Sequence, residues 1–288
     1  MTHAAPADAR EPRAGDADLL FKEAALHRAL ANFPSVIVAY SGGVDSALVA
    51  HAATQVLGTA ALCVTADSPS YPERHRRMAV DLARQFGFNH EFIRTTEMER
   101  PEYRANPANR CYYCKQELYT HLSAVARERG IPVIADGSNA DDRGDYRPGR
   151  QAAREFGVRS PLDEVGLTKA EIRELSRRAG LPTWDEPASA CLSSRIPYFS
   201  EVTDEKLRMI ERAENVLHEL GFRICRVRHH ELLARLELGA DEIARAVEAE
   251  MAARIDRELR EIGYTNVTVD LRGYRLGSLN EALKLRPV

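Results

Sequence analysis

The sequence predicts a doubly wound α/β domain built on a parallel sheet, followed by a smaller C-terminal α/β domain. Three observations lead there. Apolar runs suited to buried strands recur at VIVAY (36–40), AALCVTA (60–66), HEFIRTT (90–96) and PVIADGS (132–138), each separated from the next by a segment of helical character. Such alternation implies parallel strands joined by crossover helices, with a ligand crevice at the strand C-terminal ends. The first of these runs is followed directly by a glycine pair, Ser41-Gly42-Gly43. The pattern then changes near residues 197–200 to long charged helices with short strands between them, and a length of 288 residues fits one large and one small domain.

The opening residues 1–18, MTHAAPADAREPRAGDAD, are polar and Ala-rich, lack the apolar centre of a signal peptide, and are expected to form a disordered tail. The large domain is expected over residues 19–198. After the strand at 36–40 and its glycine pair, ALVAHAATQVLG (47–58) is a helix, and residues 73–87 and 115–130 carry apolar positions at helical spacing. Thr168-Lys169-Ala170-Glu171 is a capping box that opens a helix ending near Gly180, ahead of Leu181-Pro182. A loop rich in Pro and Ser, 183–203, closes the domain. In the small domain, 199–288, residues 203–220 are periodic through Leu207, Ile210, Val216, Leu217 and Leu220. Residues 241–262 are periodic through Ile243, Val247, Met251, Ile255, Leu259 and Ile262. With the strands ICRVRHH, ARLEL and NVTVDL the order is α-β-β-α-β, and the apolar helix faces exceed what one subunit buries, so a homo-oligomer is expected.

Charge narrows the class of partner. Lys and Arg number 40 against 43 Asp and Glu, a net charge of −3, and the basic residues are dispersed, so no nucleic-acid partner is expected. Nothing approaches the apolar length of a membrane span, and a cytoplasmic protein is expected. Five cysteines, an odd count, argue against a disulfide framework. Cys63 and Cys225 sit in strand-like runs and suit packing. Cys111 and Cys114 form a Cys-x-x-Cys pair at a helix start, open to redox or metal-binding readings, and Cys191 lies in a polar loop four residues before Arg195. An arginine and loop amides there favour thiolate chemistry at Cys191. Three thiolates can hold three irons of a [4Fe–4S] cluster and leave the fourth open; alternatively Cys191 acts alone and gives up its own sulfur.

The chemistry starts at SGGVDS, residues 41–46. Glycines without side chains let backbone N–H groups approach an anion, and the helix that follows turns its N-terminus toward the same anion. No Gly-Lys-Ser/Thr follows, so this is not a Walker loop. The segment resembles the SGGxDS loop of the PP-loop ATP pyrophosphatases, adenine nucleotide alpha hydrolase-like proteins that cleave ATP between its α- and β-phosphates. That resemblance implies ATP held by Ser41, Gly42, Gly43 and Ser46, Mg²⁺ at Asp45 unless Asp45 only caps the helix, and adenosine near Asp67 and Gly137.

SGGVDS together with NRCYYCK, DGSNADD, RPGRQAAREFGVRSPL, CLSSRIPY, RVRHH and GYRLGSLN resembles the LarE family over residues 20–288. The resemblance implies an ATP-dependent sulfur transferase that matures the nickel-pincer cofactor of lactate racemase. Its implied substrate is a pyridinium-3,5-dicarboxylate mononucleotide, whose adenylated carboxylates become thiocarboxylates with sulfide or another sulfur donor. Cys111, Cys114 and Cys191 match the variant that carries a [4Fe–4S] cluster, with Cys191 as the catalytic position. Arg226 and Arg228 alternate along a strand, project to one face and suit a grip on the substrate phosphate, with Arg195 as a further substrate-binding residue. His229, His230, Arg275 and the Asp141-Asp142 pair are assigned no catalytic role. A tRNA-thiolating enzyme, an amide synthetase of the NAD-synthetase kind and a nucleotide-binding scaffold are the competing readings.

Overall fold

Both faces of the strand Val36–Ala39 (β1) are covered, and this sets the layering of the first sheet. The computed structural model describes residues 14–144, 148–187, 190–275 and 277–281. β1 pairs in parallel with β2 (Ala61–Asp67) on one side and β4 (Val133–Ala135) on the other, and β3 (Asn89–Arg94) extends the sheet beyond β2. This is the predicted parallel sheet. Val36 and Val38 point into one core and Ile37 and Ala39 into another, as the two-residue period of a strand requires.

The first core is closed by α1 (Ala14–Ala31), α2 (Val44–Leu57) and α3 (Glu73–Phe86). After the single turn α4 (Pro101–Arg104), α5 (Arg110–Arg129) and α6 (Pro148–Glu155) cover the opposite face. The turn α7 (Pro161–Glu164) and α8 (Lys169–Arg178) return to the first face. Helix α8 opens with the predicted capping box: Thr168 accepts from the Glu171 N–H, and Glu171 accepts from the Thr168 N–H. Residues 1–13 of the expected tail lie outside the described residues. Residues 14–18, also expected in the tail, instead form the start of α1, where Asp16 accepts from Arg178 at 2.5 Å and Leu19 enters the core one residue later.

The strand order β3-β2-β1-β4 means the chain steps outward from β1 and then crosses back to its other edge. The crevice outside the C-terminal ends of β1 and β4 is therefore the topological switch point. The loops that follow these two strands meet there. A side chain on Gly137, just after β4, would come within 2.8 Å of the Ser46 nitrogen, so only glycine admits this approach.

A second core lies between α9 (Asp204–Glu219) and a three-stranded sheet of order β5-β6-β7. Strands β5 (Cys225–His230) and β6 (Leu233–Leu238) are antiparallel; β7 (Asn266–Val269) joins β6 in parallel. The predicted helix over 241–262 is two pieces, α10 (Ile243–Ala246) and α11 (Ala249–Ile262). Glu248 takes an extended backbone between them, and Val247, expected on the apolar stripe, is 56% exposed. Cys63 and Cys225 are buried, one in each core, as expected of packing thiols. Among the described residues no helix is long and apolar enough to cross a membrane.

The two loop glycines differ in what they tolerate. Gly42 has φ +68° and an added Cβ would lie 2.9 Å from the Ala79 Cβ, whereas Gly43, at φ −75°, would meet only Ser41 Oγ at 3.6 Å. Gly42→Ala is expected to cost about 2–4 kcal/mol in urea unfolding, from the left-handed backbone and the overpacking together. Gly43→Ala is expected to cost under about 1 kcal/mol, and equal losses in the two variants would contradict this account.

Candidate functional site

The loop 41–46 is folded around one hydroxyl. Ser46 Oγ lies 3.1 Å from the Ser41 nitrogen, 3.1 Å from Ser41 Oγ and 3.1 Å from the Gly43 carbonyl, so its O–H closes the loop on itself. From α3's side, the Tyr71 hydroxyl lies 2.9 Å from the Ser41 carbonyl. Gly43 is the N-cap of α2 and provides no side-chain cap, leaving the first N–H groups of the helix for an anion. Ser41, Gly42, Gly43 and Ser46 thus lie together in one closed loop.

Asp45 is not the cap; it stands in the first turn of α2 with its carboxylate directed at other elements. Lys169 Nζ lies 2.5 Å from its Oδ2, and Asn139 Nδ2, from the loop after β4, donates to Oδ1 at 3.3 Å. The neighbouring acidic pair is structural: Asp142 accepts from the Asn139 N–H at 3.0 Å and Asp141 from the Lys169 N–H at 2.8 Å. Asp67, at the end of β2, is ion-paired with Arg76, whose guanidinium stacks over the Phe92 ring at 4.3 Å. Beside that pair lies a cavity of about 290 Å³ lined by Asp67, Tyr71, Arg76, Asp204, Leu207 and Glu211.

The three candidate thiols come from two segments that are stitched together. Cys111 sits in the first turn of α5 and Cys114 one turn on, and Cys191 caps a 3₁₀ turn, Leu192–Arg195. Arg110 bonds Asn106 and donates to the Ser193 carbonyl at 2.9 Å; Asn106 donates to the Pro197 carbonyl at 2.8 Å; and the Tyr103 and Ser193 hydroxyls are 2.7 Å apart. Tyr103, Leu192, Ile196, Leu207 and Ile210 form one apolar cluster, with Cys114 packed against it. Loss of solvent pushes the Cys114 thiol well up, and the Glu97 carboxylate, Cys191 and Cys111 push it further. Cys111, although an exposed residue, has its thiol raised by desolvation too, against the pull of Arg110, with Cys191 adding to the rise. The three thiols therefore share one electrostatic neighbourhood. Among the described residues no three His, Cys, Asp or Glu side chains converge to hold a single metal ion.

Arg195 is corrected by the structure. Its guanidinium, 1% exposed, is bidentate to Glu214 of α9 at 2.8 and 2.9 Å, and its remaining nitrogen reaches the Ala190 carbonyl, the Cys191 carbonyl and Ser194 Oγ at 2.8, 3.1 and 2.9 Å. Every guanidinium nitrogen is engaged by protein and shut off from solvent, so Arg195 fixes the Cys191 loop and does not grip substrate. Arg226 and Arg228 alternate on one face of β5 as predicted, and both are buried. Arg226 lies 5.2 Å from the Tyr274 ring and is pulled below the usual arginine range by burial and then by Arg195. Arg228 donates to Glu237 at 2.6 Å, Ser278 at 2.9 Å and the Ser194 carbonyl at 2.7 Å, while its Nε is buried without a hydrogen-bond partner among the described residues. His75, on α3, is pushed down to about 4 by burial and then by Arg195 and Arg226, so it stays neutral near pH 7. Arg110 and Asn139 stand within the NRCYYCK and DGSNADD segments without a role assigned there, and Asn106, Lys169 and Glu214 carry no site signal; apart from the Arg110–Asn106 bond, their partners are distant in sequence.

A parallel α/β sheet with a Gly-Gly loop at its switch point, leading into an uncapped helix N-terminus, defines a protein of the PP-loop class. A family profile described as NAD synthase matches residues 23–127. An uncharacterized protein of Synechocystis is 47% identical over 86% of this chain and 92% of its own length. The pyridinium-3,5-bisthiocarboxylic acid mononucleotide synthase of Lactiplantibacillus plantarum is 35% identical over 93% of this chain and 96% of its own. A component of the glutamine-hydrolyzing GMP synthase of Methanopyrus kandleri is 26% identical over 64% of this chain and 62% of its own. The chain belongs to the LarE family, that of the mononucleotide synthase.

The Arg195–Glu214 pair has a pH signature. Burial alone would raise the Glu214 carboxyl, but Arg195, with help from Arg226 and the Val227 N–H, holds it below its ordinary 4.5. A depressed folded value contributes stability that is complete above the unfolded value and is lost as pH falls through the folded one. Glu214→Gln, which leaves the Arg195 charge buried and unpaired, is expected to cost about 3–5 kcal/mol near neutral pH. In chemical unfolding, the gap to wild type should narrow as pH falls below the ordinary 4.5 and through the depressed folded value; a gap that does not narrow in acid would contradict the pairing.

Proposed function

We propose that this protein is an ATP-dependent sulfurtransferase of nickel-pincer cofactor synthesis, which adenylates the carboxylates of a pyridinium-3,5-dicarboxylate mononucleotide and converts them to thiocarboxylates. The observation that carries this reading is identity of 35%, over 96% of its length, to a protein named for making the bisthiocarboxylic acid mononucleotide. The site geometry supports each half of the chemistry.

In the first half, a substrate carboxylate oxygen attacks the α-phosphate of ATP and the bond to pyrophosphate breaks. The N–H groups of Gly43 and the start of α2, with the Ser41 hydroxyl, face the departing charge, in a loop already set by Ser46. Mg²⁺ at Asp45 would neutralise phosphate charge; one protein carboxylate with phosphate and water oxygens is a sufficient set for that ion. In the second half, sulfur attacks the acyl-adenylate, a C–S bond forms and AMP leaves. Cys111, Cys114 and Cys191 would hold a [4Fe–4S] cluster whose fourth iron supplies an open position for sulfide. Arg226 and the spare Nε of Arg228 suit the substrate phosphate, and adenosine is assigned to the Asp67 and Gly137 side of the crevice. Val247, Leu232 and Leu271 are exposed apolar residues of the second domain and support self-association.

Gly43→Val tests the first half. Its Cβ finds room in the fold but occupies the space where phosphate must approach, so the variant should melt like wild type while pyrophosphate release falls about a hundredfold. Near-normal release from a folded variant would contradict the nucleotide reading.

Cys111→Ala and Cys114→Ala test the second half. In anaerobically prepared protein both should lose iron binding and sulfur transfer yet keep pyrophosphate release. A Cys111→Ala variant that still transfers one sulfur per subunit, with Cys191 converted to dehydroalanine by intact-mass analysis, would show instead that Cys191 is a sacrificial donor.

A further inference from the structure

Two carbonyls share the single proton of the Tyr71 hydroxyl: that of Ser41, in the loop 41–46, at 2.9 Å, and that of His75, in the first turn of α3, at 3.0 Å. Burial keeps this phenol protonated, so it acts as a donor. The Ser41–Gly42 peptide leans on the same helix, where an added Gly42 Cβ would meet Ala79 and where the Tyr40 hydroxyl donates to the Ala79 carbonyl at 3.1 Å. A trans peptide carries its C=O and its N–H on opposite sides. With the Ser41 carbonyl turned to Tyr71 and α3, the Gly42 N–H is turned away from them. Gly42 is buried, and among the described residues its N–H has no hydrogen-bond partner. Buried backbone N–H groups are nearly always paired, which marks this one as a donor held for a ligand. Its direction is not secured by the local backbone. Gly42 has φ +68°, and a residue without Cβ passes between the two signs of φ at little cost, so the peptide before it is free to turn over. The Ser46 hydroxyl fixes only the peptide on the other side of Ser41, through the Ser41 N–H.

We propose that Tyr71 is a positioning residue for ATP cleavage: its hydroxyl locks the Ser41–Gly42 peptide with the carbonyl on α3, so that the Gly42 N–H already faces the pyrophosphate. This rests on the reading of the loop as an ATP site. The freedom that lets a glycine backbone approach an anion also lets its peptide turn the wrong end toward it, and a carbonyl turned inward would set a partial negative charge against the phosphates. A lock from outside the loop removes that choice. Donors fixed before the charge moves need no reorganisation during the reaction, which is where preorganised amides gain their effect. Tyr71 itself acts through the peptide, and its hydroxyl proton is spent on the two carbonyls.

The test reads the peptide itself. Ser41–Gly42 is the single Ser-Gly step in the chain, so full-length protein labelled with carbonyl-¹³C serine and ¹⁵N glycine gives one signal in a carbonyl-filtered amide NMR spectrum. In wild type that amide proton should move downfield when inorganic pyrophosphate and Mg²⁺ are added, as the N–H gains an acceptor. Tyr71→Phe removes the hydroxyl and keeps the ring that lines the cavity beside Asp67, and its melting curve is checked first. In this variant the downfield move should fall by more than about half, and calorimetry should show pyrophosphate bound about tenfold more weakly, with AMP affinity changed less than about twofold. Unchanged pyrophosphate binding, or equal losses for pyrophosphate and AMP, would overturn the lock. The wild-type spectrum decides even for a variant that fails to fold: a Gly42 amide left unmoved by pyrophosphate that calorimetry shows to be bound would remove the donor that Tyr71 is argued to aim. A wild-type protein that binds neither pyrophosphate nor AMP would defeat the ATP reading of the loop itself.

Discussion

Arg195 sets where Cys191 can be. Its guanidinium sits in the interior, where an unpaired charge is not tolerated, and Glu214 of α9 satisfies it with two parallel hydrogen bonds. The same guanidinium holds the carbonyls of Ala190 and Cys191, so the loop carrying the third thiol is fastened to the second domain. Arg110 fastens it from the other side, to the first turn of α5 where Cys111 and Cys114 lie. The Tyr103–Ser193 and Asn106–Pro197 bonds and the apolar cluster around Tyr103 and Leu192 add to this link between the two segments that carry the three thiols. Through Arg195, α9 of the second domain is joined by hydrogen bonds to the loop that carries Cys191.

The crevice is organised differently. Its rigidity comes from close approach and local hydrogen bonds: Gly137 packed against the start of α2, Gly42 against α3, and the Ser46 hydroxyl closing the loop. Its charges, in contrast, are partly exposed, Lys169 on Asp45 and Arg76 on Asp67. A prefolded cradle with partly exposed counterions suits a ligand that brings its own charge and its own cation. The Cys191 loop is the reverse: the buried Arg195–Glu214 ion pair fixes its frame.

How much of this is legible in the sequence follows from how local each feature is. The loop 41–46 can be read because its residues are contiguous and its demands, missing side chains and a helix start, are written within six positions. The capping box at 168–171 is legible for the same reason and forms as read. The four parallel strands are legible as apolar runs bounded by helical segments. The stop at Val247 is not, since the apolar spacing continues through it and only the turn at Glu248 breaks the helix. Arg195 reads as a substrate ligand because its partner, Glu214, is an ordinary helix residue in sequence and becomes a counterion only when α9 packs on the Cys191 loop. Lys169 escapes notice because it lies within a capping box, where its side chain has no local role, and its partner is far away in the chain.

The central claim is that a substrate carboxylate oxygen, and not water, attacks the α-phosphate of ATP. Pyridinium-3,5-dicarboxylate mononucleotide labelled with heavy oxygen in its carboxylates, incubated with the anaerobically prepared protein, ATP, Mg²⁺ and sulfide, tests this directly by mass spectrometry of the released nucleotide. The account predicts AMP carrying one labelled oxygen for each thiocarboxylate formed, because the oxygen that joins phosphorus leaves with AMP when sulfur takes its place. Unlabelled AMP, or ADP in place of AMP, would contradict it.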